Sequence, residues 1–178
     1  ERMLAGDEYD ASDPELAAAS ARARELQERY HRVSLEGGDA RAILQELIGD
    51  LGEDVEVRPP LFVDYGSNIS IGARTFVNYN LTALDVTPIR IGQDCQIGPG
   101  VQLLTPTHPL EPGPRRDKVE AGEPSTIGDN VWLGSGVIVC PGVTIGDDSV
   151  IGAGSVVTRD IPAGVVAVGN PARVVRGL

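Results

Sequence analysis

The sequence predicts an all-β solenoid, a parallel β-helix with a short helical segment ahead of it and one long loop thrown out of it. Three observations carry that prediction. Ile127, Leu133, Val139, Ile145, Ile151 and Val157 stand six residues apart without a slip. Glycine follows most of them, at Gly128, Gly134, Gly146 and Gly152. Aromatic residues make up only 4% of the chain. An α-helix repeats its face every 3.6 residues and a strand every 2, so a period of six belongs to neither. It is the period of a solenoid in which each hexad supplies one short strand and one tight corner. The aliphatic points inward, the glycine leaves the corner free of a Cβ, and the residue four on (Val131, Val137, Val143, Ser149, Ser155) packs near the next corner. Three hexads make a coil, and coils stack about 4.8 Å apart with paired backbones. The core is then a column of aliphatics with little need of aromatics.

Taken in order, residues 1–52 read as a helical segment and residues 53–178 as the solenoid, with a loop over 105–126 and a tail over 163–178. Ser12 or Asp13 caps the first long helix, and Pro14 supplies a preset φ at its first turn. Leu16, Ala19, Ala23, Leu26 and Tyr30 give it an apolar side, and Gly37 and Gly38 end it. Asp39 reads as the cap of a second helix carrying Ile43, Leu44, Leu47, Ile48 and Leu51, closed near Gly52. Both helices are expected to cover an end of the solenoid, where a terminal coil would otherwise present unpaired strand edges. Looser hexads begin early: Val57, Val63 and Ile69 are six apart, as are Ile91, Ile97 and Leu103. Between them the register slips, because Ile71 to Ile91 is twenty residues, and Asn78, Asn80 and Asp85 sit inside the slip. The stretch from Thr105 to Ser125 holds five prolines and the cluster Arg115, Arg116, Lys118, a length that marks a functional loop in a compact solenoid.

The net charge of −11 argues against nucleic acid and an anionic membrane surface as partners, since both require a basic face. No apolar run approaches a membrane span and no secretory leader precedes the helices, so a cytoplasmic protein is expected. Cys95 and Cys140 lack metal-ligand spacing and read as reduced, structural thiols. No metal is expected.

Of two histidines, His31 closes the first helix, where its charge suits the helix C-terminus. His108 stands in Thr107-His108-Pro109, where the coil gives way to the loop. Two readings stand for it: an incidental loop residue, or a base whose neutral imidazole takes a proton from a hydroxyl and returns it to a leaving group. Asp64 and Asp85, taken as isolated residues at strand corners, read equally as turn caps or as ligands for paired hydroxyls. Trp132 either walls a site or packs under the loop.

An ordered set of segments closely resembles the maltose and galactoside O-acetyltransferases: Met3-Leu4-Ala5-Gly6, Asp64-Tyr65-Gly66-Ser67-Asn68-Ile69, Phe76-Val77-Asn78-Tyr79-Asn80, Leu84-Asp85-Val86, Thr107-His108-Pro109, Asn130-Val131-Trp132-Leu133-Gly134-Ser135 and Asn170-Pro171-Ala172-Arg173. The resemblance covers nearly the whole chain. It implies a left-handed parallel β-helix, an exception to the usual right-handed crossover, assembled as a homotrimer with active sites between subunits. It implies acetyl-CoA as cosubstrate and a sugar hydroxyl as acceptor. His108 matches the catalytic base, and Asn78 the residue that binds the acceptor and stabilises the transition state. Asp64 and Asp85 match acceptor-pocket positions, with Trp132 beside the acyl site. Ser135, Ala153, Thr158, Arg159, Arg173 and Arg176 match positions along the pantetheine and phosphate path, where small corner residues admit a thin arm and guanidinium groups meet phosphates. Where relatives carry an arginine on the first helix this chain has Ser20, with Arg22 and Arg24 nearby, and an N-terminal acceptor aspartate falls among Asp10 to Asp13. Those departures bear on the acceptor and not on the reaction.

A zinc-dependent solenoid enzyme of the γ-carbonic anhydrase type needs three converging histidines, and the solenoid offers one per subunit. An acetyltransferase of a non-sugar hydroxyl, such as serine or an antibiotic, shares the coenzyme machinery and remains a rival. So does a scaffold without catalysis, which has no use for His108, Asn78 and the C-terminal arginines together.

Overall fold

Hexads at this spacing fold into a six-coil parallel β-solenoid of three faces in the computed structural model, which describes all 178 residues. The first face stacks Asp50–Leu51, Ile69–Ile71, Ile89–Ile91, Ser125–Ile127 and Thr144–Ile145. The second stacks Glu56–Val57, Phe76–Val77, Gln96–Ile97, Trp132–Leu133, Val150–Ile151 and Val165–Gly169. The third stacks Leu61–Val63, Leu81–Leu84, Gln102–Leu104, Ile138–Val139 and Val156–Val157. All neighbours within a face are parallel, with like hexad positions opposed: Val77 faces Ile97, Ile97 faces Leu133, and Leu133 faces Ile151. These inward aliphatics are 0–1% exposed and form one continuous core.

The glycines after the inward aliphatics are there for stacking. A Cβ on Gly134 would lie 2.6 Å from the backbone nitrogen of Ala153 in the coil above, and one on Gly98 2.8 Å from that of Ser135. The left-handed dihedral falls two residues later instead, on Gly100, Gly136 and Gly154, or on Asp94, Asn130 and Asp148.

The register slip has one address. Inward residues are six apart along the second and third faces, but eight separate Val63 from Ile71 and Ala83 from Ile91, and twenty-four separate Leu103 from Ile127. Every insertion therefore lies at the corner leading from the third face to the first. Asn78 and Asn80 sit before the slip, at the corner from the second face to the third, and Asp85 sits within it.

The long loop is an ordered excursion. Pro106–Thr107 pairs antiparallel with Val119–Gly122, a one-turn helix Pro112–Arg116 lies between them, and Tyr9–Asp10 adds a third strand to the other edge of Val119–Gly122. The chain rejoins the solenoid at Ser125.

Helix α1 spans Arg2–Ala5, α2 Pro14–Leu35 and α3 Arg41–Leu47. In α2 Asp13 caps as predicted, accepting from the Glu15 N–H at 2.8 Å. Its buried side is Ala23, Leu26 and Tyr30, whereas Ala19 is exposed and Leu16 packs on a separate cluster of Met3, Tyr9 and Val86. Helix α3 is shorter than its apolar spacing suggested. Leu51 already belongs to the first strand, because Gly49 and Gly52 abut the backbone of the second coil so closely that a Cβ would meet Ser67 or Ala73 within 2.5 Å.

The two helices cover the first coil through side chains that stand in for a missing strand. Gln27 accepts from the Val63 N–H at 2.8 Å and donates to the Val63 carbonyl at 3.3 Å. Tyr30 donates to the Val57 carbonyl, and Arg41 donates to those of Val55 (3.3 Å) and Gly52 (3.0 Å). At the far end, Ala172–Gly177 folds back antiparallel on Val165–Gly169. No helix is long and apolar enough to cross a membrane. Gln27→Ala leaves both polar groups of Val63 without a protein partner, and an orphaned group costs about 1–3 kcal/mol when water cannot replace the bond. A midpoint shift of that size in denaturant unfolding is the expected outcome, and an unchanged midpoint would show that water caps the edge as well as Gln27 does.

Candidate active site

Stacked hexads place like positions of successive coils above one another, so the sequence-predicted residues sort by corner. At the corner from the second face to the third, Asn78, Gly98, Gly134, Ser135, Gly152 and Ala153 form one column. They line a groove of about 430 Å³ whose other wall is the outward row Phe76, Gln96, Trp132 and Val150. Trp132 is 56% exposed and does not pack under the loop. Asn78 is oriented: its Oδ1 accepts from the Tyr79 N–H at 2.8 Å, which leaves the Nδ2 hydrogens free to donate into the groove. The outward row continues from Val150 through Val166 to Arg176, with Arg173 opposite Val168 on the same hairpin. Both arginines are exposed.

The corner from the third face to the first holds the other set. Asp85 is fully buried, and its carboxylate gathers the backbone N–H groups of Asp64 (3.1 Å), Tyr65 (2.9 Å) and Asn68 (3.2 Å), while Asn68 returns a bond to the Asp85 carbonyl at 2.7 Å. Asp85, expected in the acceptor pocket, is in this structure a buried carboxylate bonded to backbone N–H groups. It holds the turn that carries Asp64. Burial pushes its carboxyl up while the backbone N–H groups pull it back. Asp64 is half-buried and its carboxyl is pushed up to about 6, first by burial and then by the charges of Asp85 and Glu120. Tyr65 is raised by burial and by the same carboxylates. One coil above Asp85 the chain leaves through Thr105 into the excursion, where His108 follows Thr107 and is exposed. Thr158 and Arg159 stand exposed at this same corner two coils higher.

Three residues of this corner escaped the sequence reading. Glu120 and Tyr9 meet across the excursion sheet, with the Tyr9 hydroxyl donating to Glu120 Oε2 at 2.8 Å. Burial and that bond raise the Tyr9 hydroxyl above its ordinary value. Tyr65 and Tyr9 line a cavity of about 620 Å³ with Asn68, Asp10 and Arg2, between the N-terminal segment and the first coil. Nothing in hexad spacing announces such contacts, since Tyr9 and Glu120 are 111 residues apart. Arg22 does not face this cavity: it pairs with Glu46 of α3 at 3.2 Å, and Arg24 lies beside His31 and Phe62.

The structure thus brings Asn78, Trp132, Ser135 and Ala153 together, and places Asp64 and His108 at a different corner. A six-residue side of the prism spans up to about 20 Å at full extension, whereas proton transfer needs about 3 Å between heavy atoms. No group of three or more His, Cys, Asp or Glu residues is disposed to hold a metal ion.

The sequence matches the model of the bacterial transferase hexapeptide (six repeats) over residues 124–159, and that of the maltose acetyltransferase hexapeptide capping motif over residues 2–52. It is 46% identical over 175 residues to nodulation protein L of Rhizobium meliloti (strain 1021), covering 98% of this chain and 96% of that one. A maltose O-acetyltransferase from Clostridium difficile 630 has the same fold with a TM-score of 0.97 at 43% identity, over 99% of this chain and 95% of that one. A hexapeptide-repeat acetyltransferase of Vibrio cholerae solved with acetyl-coenzyme A gives a TM-score of 0.93 at 38% identity, over 99% and 96%.

The raised Asp64 carboxyl sets a direction for stability against pH. Its folded value of about 6 lies above the ordinary 3.8, so the folded chain binds more protons between those values and its stability falls as pH rises through them. Above pH 6 the full cost of the charge is present. Asp64→Asn is expected to raise the unfolding free energy at pH 7.5 by an amount on the order of 1 kcal/mol after solvent screening, seen as a higher melting midpoint, and to raise it little at pH 4. A gain equal at both pH values would refute the charge origin.

Proposed function

Because the chain belongs to the maltose and galactoside O-acetyltransferase family of hexapeptide-repeat acyltransferases, and is an acetyl-CoA-dependent O-acetyltransferase, we propose that its acceptor is a sugar hydroxyl and that His108 is the base. The observation that carries this reading is the division of the chemistry between two corners. The groove with Asn78 and Ser135 can stabilise a thioester but contains no base, and the corner with His108 and Asp64 has a base and polar ligands but lacks that column of small residues. Two copies laid side by side in a homotrimer join one corner to the other. Exposed Trp132, Tyr79 and Phe62 lie around the groove-side corner and its flanking faces, and Arg58 stacks over Phe76 (4.9 Å) and Tyr79 (5.3 Å). Such an apolar rim suits a subunit contact.

In this reading the neutral imidazole of His108 takes the acceptor hydroxyl proton as the oxygen attacks the thioester carbonyl carbon. The new C–O bond leaves a tetrahedral oxyanion, which the Asn78 Nδ2 hydrogens and the Ser135 N–H face as donors. Collapse breaks the C–S bond, and His108 hands its proton to the departing thiolate. Asp64 and Asn68 offer acceptors and donors for paired sugar hydroxyls. The pantetheine arm follows the small-residue column of Ser135 and Ala153, and Arg173 and Arg176 at its head meet the phosphates. Thr158 and Arg159 of the neighbouring subunit close the path from the other side. That gathers local positive charge where an acidic protein receives an anion.

Thiol release from acetyl-CoA, measured against glucosides, galactosides, maltose, serine and hydroxylated antibiotics, tests the acceptor. The sugars are expected to turn over fastest; turnover of serine or an antibiotic alone would replace the sugar reading, and no turnover at all would favour a scaffold. His108→Ala is expected to leave the melting point and acetyl-CoA binding intact and to lower turnover by about 10² to 10⁴-fold, with loss of the acidic limb of the rate profile. Near-normal turnover with an unchanged profile would remove His108 as base. For the coenzyme, Arg173→Ala with Arg176→Ala is expected to raise the acetyl-CoA KM several-fold, about 0.5–1 kcal/mol for each exposed contact, and to spare the acceptor KM. Light scattering should find a trimer, and a fully active monomer would break the shared-site reading.

A further inference from the structure

The excursion sheet places a carboxylate beside the base. Its antiparallel register sets Pro106 opposite Gly122 and Thr107 opposite Ala121, where the ladder ends; the same register continued by one residue leads His108 toward Glu120. On the other edge of the same strand Tyr9 stands opposite Glu120. Residues directly opposed across antiparallel strands project from the same face, with Cβ atoms about 5 Å apart. Tyr9 and Glu120 are thus paired, and His108 is the next residue beyond the neighbouring strand on the side of Glu120, with no hydrogen bond between the His108 and Glu120 side chains in this structure. Glu120 Oε2 accepts from the Tyr9 hydroxyl at 2.8 Å, and Tyr9 is buried, so the carboxylate is held from that side.

An imidazole acting as base needs one ring nitrogen bare and the other carrying a proton, and it needs its ring fixed. A carboxylate that accepts the second N–H does both, and it stabilises the imidazolium formed during the reaction. We propose that Glu120 is the positioning residue for His108, accepting the N–H of the ring nitrogen turned away from the acceptor, with Tyr9 holding the carboxylate in place. The inference rests on His108 being the base. It makes the N-terminal strand part of the proton-transfer apparatus. Asp64 and Tyr65 from the first coil and Asp85 from the second lie near Glu120 and favour the imidazolium in the same sense, while Arg2 and Lys118, which line a cleft with Tyr9 and Val119, and Arg115, which donates to the Pro109 and Leu110 carbonyls, oppose it.

The test compares kcat, both KM values and the pH dependence of kcat for Glu120→Gln, Glu120→Asp, Tyr9→Phe and His108→Ala. Glu120→Gln is expected to lower kcat by about 10²-fold or more, to leave the acetyl-CoA KM within about twofold, and to move the acidic limb to lower pH. Glu120→Asp restores part of kcat. Tyr9→Phe removes a donor from the carboxylate, makes it a stronger acceptor, and shifts the limb the opposite way, to higher pH, with a smaller loss of kcat. A merely structural Glu120 moves neither limb. An unchanged profile and kcat in Glu120→Gln, alongside a dead His108→Ala, overturns the proposal and leaves the base intact. Should Glu120→Gln misfold, an unmoved limb in Tyr9→Phe overturns it equally. Retained activity in His108→Ala instead overturns the base reading beneath it.

Discussion

Coil-to-coil backbone pairing is the constraint on which the rest depends. Each coil's N–H and C=O groups are satisfied by the coils above and below, which makes the interior cheap to specify and the two ends costly. At the first coil, the unpaired carbonyls of Gly52, Val55 and Val57 and both polar groups of Val63 meet Arg41, Tyr30 and Gln27. These are long polar side chains on helices, chosen by what a neighbouring strand would have offered. At the last coil the chain supplies a real strand by folding back on itself. A helical segment and a C-terminal hairpin are therefore what permits a solenoid of this length to stop.

The same stacking decides where function can be built. Inserting a residue on a face shifts every inward side chain of that hexad outward, so length can be added only at corners, and this chain adds all of it at one. The first extra pair gives the Asp64–Asn68 turn. The second places Asp85 to gather that turn's N–H groups. The third insertion is the whole excursion. A buried carboxylate with several N–H donors is a means of fixing an irregular turn that no ladder supports. The polar site grows at the irregular corner, and the smooth corner, with Gly98, Gly134 and Gly152, remains as a groove.

Much of this was legible in the sequence. The strict hexads named the inward residues, the slip from Ile71 to Ile91 named the irregular region, and the lone solenoid histidine named the excursion. What stayed hidden involved pairings at long separation. The corner assignment of Asn78 against Asp85 needs the register. So does the burial of Asp85, because an aspartate in a strand corner reads the same whether it faces water or a cage of backbone N–H groups. Glu120 and Tyr9 lie in segments without periodicity, and only the excursion sheet brings them together. The length of α3 was misread for a related reason: Leu51 continues the helical apolar spacing while also opening the first strand, and the close approach of Gly49 and Gly52 to the second coil settles it in favour of the strand.

The N-terminal segment consequently serves two ends at once. Helices α2 and α3 close the open edge of the first coil, and the strand ahead of them, Tyr9–Asp10, closes the open edge of Val119–Gly122. Met3, Tyr9 and Val86, with Leu16 and Tyr65, form a small apolar cluster separate from the main core, which pins α1 and the strand against the irregular corner. Without that strand the excursion would be a two-stranded hairpin on a solenoid corner, and an isolated hairpin is marginal in water. The order of the residue after Thr107 thus depends on contacts made about a hundred residues earlier in the chain. The capping segment thus covers the first coil's edge and the edge of the excursion sheet together, so changes to Tyr9 and Asp10 bear on the order of the excursion as well as on stability.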